Sequence, residues 1–304
     1  MRRLSSACLC IAVMLGGCSS GSDSGAEAPP AQPAAIVTTL LPVPSATSSP
    51  VAEESYSFAV VGDFGTGDDV QRGVARRMCK WHQDHPFDIV ITTGDNVYPD
   101  GDPDLFKSEF FRPYRCLRRR GVRFHATLGN HDVMTDDGDN EVRNRKFGMA
   151  GHDYVIRTGG VRFVMVDSNS IDKRWLRHAL VTDEGDRWTI VVFHHPVYSP
   201  GTGHGSEPGF RPSLPRMFRE YDVDLVLNGH DHIYAVTKNL KGIRYVVTGG
   251  GGAGLYGCSS ATYSDECLAA HHFLYVTAGA TEIDVAAIPP HGKAIDRFET
   301  TGRS

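Results

Sequence analysis

Five short blocks hold the residues best suited to bond-breaking chemistry in this 304-residue chain: Gly-Asp-Phe-Gly at 62–65, Gly-Asp-Asn-Val-Tyr at 94–98, Gly-Asn-His-Asp at 129–132, Val-Val-Phe-His at 191–194 and Gly-His-Asp-His at 229–232. Together they offer carboxylate, amide, phenol and imidazole donors, a set that suits iron, zinc or manganese. No cysteine lies among them, which argues against a soft-metal or structural zinc site. Any one block occurs in ordinary turns. Five in order, each behind an apolar run, supply donors for two adjacent ions, and such a pair is suited to phosphoester cleavage.

The apolar runs say how residues so far apart in sequence could meet. Segments 57–61, 88–92, 123–128, 189–193 and 224–227 are rich in strand formers and each stops at one of the blocks. Donors that end strands gather at one edge of a sheet. After the first block Val70, Val74 and Met78 recur at helical spacing, and helices are expected over 173–180, where Trp175, Leu176 and Leu180 share a face, and over 214–221. From Ile243 onward the texture changes to strands at 245–248, 273–277, 282–288 and 294–299, with Pro289, Pro290 and Gly292 forming a turn. The pattern predicts an α/β fold, a two-sheet β sandwich flanked by helices with metal ligands on loops at strand ends. The glycine cluster at 249–254 lacks the Lys-Ser/Thr ending of a phosphate loop and reads as a floppy loop beside the site.

Outside that region the chain is of a different kind. Met1, Arg2 and Arg3, an apolar run over 7–15 and small residues before Cys18 describe an export signal over 1–17, too short to span a bilayer. Leu15-Gly16-Gly17-Cys18 resembles the bacterial lipobox, which implies a lipidated Cys18 and an exported protein anchored on the periplasmic or extracellular face of the cell envelope. Residues 18–55, rich in Ser, Ala, Pro, Gly and Thr, read as a disordered tether with a reach of roughly 30–40 Å. The remaining 56–304 fit one catalytic domain. The net charge is −5 and the basic run at 118–120 reads as an isolated solvated face, so nucleic acid is not a favoured partner. Of seven cysteines, Cys8 and Cys10 leave with the signal and Cys18 would carry lipid. The four that remain allow three pairings, of which Cys79–Cys116 with Cys258–Cys267 is expected.

The order of the five blocks resembles the calcineurin-like metallophosphoesterases and, through Tyr98 in the second block, the small, tartrate-resistant type of purple acid phosphatase within them. The resemblance covers residues 56 to about 300. It implies that Asp63, Tyr98 and His232 hold Fe(III), that Asp95 bridges both ions, and that Asn130, His194 and His230 hold Fe(II), Zn or Mn. The Pro196-Val197-Tyr198 stretch selects His194 as the ligand, with His195 the one-residue alternative. His131 would face the substrate; His204, in a Gly-rich stretch, stands at about the place of a second substrate-facing histidine. Both are candidates to protonate the leaving alkoxide.

Asp132 is expected to orient His131, and Asp231 to fix its loop. His82, His85, His125, His271, His272 and the Asp167-Ser168-Asn169 turn read as structural. The activity implied is hydrolysis of phosphate monoesters by metal-hydroxide attack on phosphorus, in a protein coloured by tyrosinate on ferric iron. The alternatives are a phosphodiesterase using the same ligands, with rim loops at 135–151, 201–210 and 254–272 choosing the substrate, and a non-catalytic surface-binding lipoprotein.

Overall fold

The computed structural model describes residues 55–302. The export signal, Cys18 and all of the tether but Ser55 lie outside the described residues. Two sheets form the framework. The first has the strand order β13-β12-β11-β1-β2-β3, with β1 (Tyr56–Val61), β2 (Ile89–Thr92), β3 (Arg123–His125), β11 (Phe273–Ala278), β12 (Glu282–Ile288) and β13 (Asp296–Thr301). The second runs β10-β8-β9-β7-β6-β5-β4, with β4 (Tyr154–Thr158), β5 (Val161–Met165), β6 (Trp188–Val192), β7 (Leu225–Asn228), β8 (Tyr234–Thr237), β9 (Arg244–Thr248) and β10 (Ser264–Leu268). β1, β2 and β3 are parallel, as are β5, β6, β7 and β9. Their C-terminal ends therefore deliver the five donor loops.

Parallel strands buried on both faces read as continuous apolar runs, and all of these but the edge strand β3 largely do. Along β6, Ile190 and Val192 join the core that also holds Phe58 and Ile91 of the first sheet, while Val191 packs with the helices. Phe58 and Phe163 meet edge to face at 4.9 Å across the two sheets. On the far side of the second sheet, α4 (Lys173–Ala179) and α5 (Leu214–Glu220) contribute Leu176 and Phe218 to a second cluster. α1 (Asp69–Asp84) begins at Asp68, whose carboxylate accepts from the Gln71 N–H at 2.9 Å. It buries Gln71, Val74, Ala75 and Met78, leaving Val70 outside the core face that the helical spacing suggested. The short α2 (Arg115–Arg119) is tied to α1 by the Cys79–Cys116 disulfide, and Cys258 is paired with Cys267. Among the described residues no helix is long and apolar enough to cross a membrane.

Two expectations change. β3 stops at His125, because the chain beyond it leaves the ladder and Ala126 N–H donates to Phe147 O instead. The glycine cluster is not a floppy loop. Gly249 to Ala253 are buried, and Gly251 N–H donates to Gly62 O at 2.9 Å while Ala253 N–H donates to Asp63 O at 2.9 Å. A Cβ on Gly251 would lie 2.4 Å from Gly62 O, and one on Gly252 2.6 Å from Phe64 O. Glycine is needed there because backbone packs directly on the loop that carries Asp63. Gly251→Ala is expected to lower the melting temperature by about 3–10 °C through overpacking, read by thermal unfolding.

Candidate metal centre

Three of the five donor loops leave their strands through left-handed backbone. Asp63, Asp95 and His230 have φ of 54°, 52° and 71°, a region that side chains other than glycine rarely occupy. Such strain persists only where surrounding contacts hold it, and it clusters at functional sites. Asp63 is fully buried, and its carboxylate accepts from the His230 N–H at 2.9 and 3.1 Å. Asp95 accepts the Tyr98 hydroxyl at 2.8 Å on one oxygen and the His131 N–H at 3.1 Å on the other.

The hydrogen bonds also fix the histidine tautomers. Thr93 O can only accept, so His194 Nδ1 at 2.9 Å carries the proton and Nε2 presents a lone pair. That nitrogen lies 3.0 Å from Asn130 Oδ1, 3.1 Å from His230 Nδ1 and 3.5 Å from an Asp95 oxygen. His232 Nδ1 donates to Gly254 O at 2.7 Å, which turns its Nε2 lone pair toward the Tyr98 oxygen at 3.2 Å and Asp63 at 3.6 Å. The seven donors thus fall into two sets, and the carboxylate of Asp95 reaches both. Asp63, Asp95 and His194 place one ligand atom each within 4.8 Å of one another.

The electrostatics call for cations. Burial, reinforced by Asp95, pushes the Asp63 carboxyl well above the usual range, and burial raises Asp95 as well. Burial pushes the Tyr98 phenol far up and pulls the His194, His230 and His232 imidazoles down, with neighbouring imidazoles adding to the fall at His194 and His230. Among the described residues no Lys or Arg forms an ion pair with Asp63 or Asp95. Buried carboxyl, phenol and imidazole donors facing one another without cationic side chains fit a pair of metal ions, and oxygen and imidazole donors suit iron, zinc or manganese.

The remaining predicted residues surround this cluster. His131 Nδ1 donates to Pro99 O, and its ring lies 4.6 Å from that of Tyr98. His204 stacks on His230 at 4.0 Å, with Nε2 3.4 Å from the Tyr256 hydroxyl. Asp231 is buried and accepts from the N–H groups of His204 and Gly205 at 2.8 and 2.9 Å, fixing the His204 loop. His195 stands beside the ligand set rather than in it: its Nδ1 is 2.8 Å from Ser168 Oγ, and its ring is 4.5 Å from His230.

Asp132 does not hold the His131 ring. Its carboxylate accepts from Asn96 N, Val97 N and Gly129 N at 2.8, 3.2 and 2.7 Å, clamping the loop after β2 to the loop after β3. The Asn96 amide completes the clamp by donating to Thr127 O, Asp132 and Glu141 at 2.8, 3.0 and 3.0 Å. The sequence reading passed over Asn96, Glu141 and Tyr256, whose ring stacks on His232 at 4.4 Å. Asn96 at least was visible as the centre of the second block. The Asp167-Ser168-Asn169 turn also reaches the site, since Asn169 donates to Gly129 O at 3.3 Å.

Comparison with known proteins agrees with this geometry. The calcineurin-like phosphoesterase model matches residues 56–234. Purple acid phosphatase 17 of Arabidopsis thaliana is 28% identical over 239 residues, covering 66% of this chain and 69% of that protein. The phosphoenolpyruvate phosphatase of Allium cepa is 31% identical over 223 residues, covering 65% and 45% respectively. Among solved structures, purple acid phosphatase PPD1 from yellow lupin (Lupinus luteus) seeds shares the fold with a TM-score of 0.69 at 19% identity, over 82% of this chain and 54% of that one. GAP50, the anchor in the inner membrane complex of Plasmodium, does so with a TM-score of 0.71 at 16% identity, over 82% and 90%. The matched region runs from β1 past His232 and so contains all five donor loops; the chain belongs to the calcineurin-like phosphoesterases.

Proposed function

We propose that this chain is an acid phosphatase hydrolysing phosphate monoesters, with Fe(III) held by Asp63, Tyr98 and His232, Fe(II), Zn or Mn held by Asn130, His194 and His230, and Asp95 between them. The observation that carries it is the convergence of two sets of buried oxygen and nitrogen donors on one shared carboxylate. When bound, the ions supply positive charge to phosphoryl oxygens and lower the pKa of water toward neutrality. The protein supplies orientation and protons. With Nδ1 committed to Pro99 O, His131 keeps Nε2 for a substrate oxygen. His204, pinned through its backbone by Asp231 and through its ring by His230, is the second group able to protonate the leaving alkoxide. The reading includes export and attachment to the cell envelope through a lipid on Cys18.

The test is phosphate release by the metal-loaded protein from an aryl phosphate monoester between acid and neutral pH, with an aryl phosphodiester in parallel. Monoester turnover is expected to dominate and to fall at least about a hundredfold in His194→Ala. A site that turns over only the diester is a phosphodiesterase. One that retains two metals per chain and cleaves neither serves binding. Tyr98→Phe is expected to remove the visible absorption of tyrosinate on ferric iron while leaving measurable hydrolysis; an unchanged spectrum would remove Tyr98 from the ferric site.

A further inference from the structure

The basic run at 118–120 is not isolated in the folded protein. α1 presents Arg76 and Lys80 to solvent, the α2 region presents Arg112, Arg115, Arg119 and Arg120, β3 opens with exposed Arg123, and Arg145 and Lys146 follow α3 (Asp139–Arg143), also exposed. The Cys79–Cys116 disulfide holds the first two segments together. Two concavities meet at α2. One is lined by Arg76, Lys80, Arg112 and Arg115, the other by Arg118, Arg123, Arg145 and Lys146, and neither is lined by a carboxylate. Arg118 and Lys146 even share the Phe111 ring, at 5.0 and 4.2 Å. Among the described residues none of these cations forms an ion pair, whereas Arg72, Arg143, Arg157, Arg162 and Arg244 all do. Like charges gathered without direct ion pairs repel one another, so the arrangement favours an external polyanion.

Its position says which one. Arg123 begins β3 and pairs with Ile89 at the start of β2, so this end of the sheet is opposite the strand ends that carry the metal donors. β1 also begins at this end, with Tyr56, where the chain arrives from Cys18. We propose that this face docks on an anionic lipid surface, holding the tethered domain with its metal centre turned away from the membrane. The proposal rests on the reading of Cys18 as a lipid anchor only for where the membrane lies. The tether would keep the face within roughly 30–40 Å of the headgroups, so that even weak attraction is engaged.

The experiment uses the full chain carrying Cys18→Ser, so that no lipid is attached, and vesicles of phosphatidylcholine alone or with about one third phosphatidylglycerol. Cosedimentation is expected to be at least tenfold stronger with the anionic vesicles. It should be lost in 0.5 M salt, where screening acts within about 4 Å. Arg76→Gln, Arg112→Gln, Arg115→Gln and Arg119→Gln together should weaken anionic binding at least tenfold, with phosphatase activity and melting temperature unchanged. The same charge change at Arg174, Arg177, Lys238 and Lys241 should not weaken it. Equal binding to neutral vesicles, or equal effects of the two quadruple variants, would overturn the proposal. So would tighter binding to a soluble polyanion such as heparin with no vesicle preference. Hydrolysis is assayed separately in solution, so a failed phosphatase reading and a failed docking face give different results.

Discussion

Asp95→Asn is expected to leave the protein folded, to reduce bound metal from two ions per chain to one or fewer, and to lower kcat/KM on the order of 10³-fold or more. Asp95 is the donor whose two oxygens address different sets, one bonded to Tyr98 at 2.8 Å and the other 3.5 Å from His194 Nε2. The amide keeps the side chain's shape and one acceptor oxygen, so the loop contact with His131 N–H can survive. What disappears is the negative charge that two adjacent cations must share. Metal analysis with steady-state kinetics decides it: two ions and full turnover in the variant would mean that the ions are not held around this carboxylate.

Metal-stripped protein is expected to lose stability as the pH rises from 7 to 9, and metal-loaded protein to lose much less. Burial raises the carboxyls of Asp63 and Glu141 well above their usual range, each helped by a neighbouring aspartate, and brings Asp132 to about 7. In the unfolded chain these groups lose their protons near pH 4, so above that value the native state binds more protons than the unfolded one. Stability then falls with rising pH until each folded value is passed. The depressed imidazoles of His194 and His230 act oppositely. They are protonated only in the unfolded chain, so stability rises with pH up to about 6.5 and is then flat.

The clean window therefore opens above pH 7, where carboxyls still protonated in the native state cost about 1.4 kcal/mol each per pH unit. A fall in melting temperature of roughly 5–20 °C across the window, according to whether one or both of Asp63 and Glu141 keep their protons through it, is expected by calorimetry in chelator. Cations occupying the site favour the ionised form of Asp63 and should flatten the curve. A melting temperature that climbs from pH 7 to 9 without metal would contradict the buried-carboxyl account.

The donor residues were legible because each block is local: a strand, a sharp turn and a polar residue fixed by chemistry within a few positions. Asp63, Asp95 and His230, each of which takes a left-handed backbone conformation, all stand immediately after a glycine, and that Gly-Asp or Gly-His pair is visible in the sequence. The strand texture was legible for the same reason, although the hairpin of β4 and β5 was missed despite its Gly159-Gly160 turn, with both φ positive. Asp132 is expected from sequence to orient His131, yet adjacent side chains at a turn need not touch. Its partners Asn96 and Val97 lie 36 and 35 positions away, and Gly129 bonds through its backbone N–H.

The sequence by itself determined the donor chemistry, the two-sheet framework and the family, since these depend on residue types within short windows. Tertiary structure alone decided three things that depend on distant segments meeting. It turned the glycines at 249–252 from a presumed loose loop into backbone packed on the Asp63 loop, because no window shows that Gly62 O lies against Gly251. It joined Asn96, Asp132 and Glu141 into one buried clamp. And it gathered cations from three stretches of a chain of net charge −5 onto a single face, because composition sums charge over the whole surface while folding decides where each charge sits.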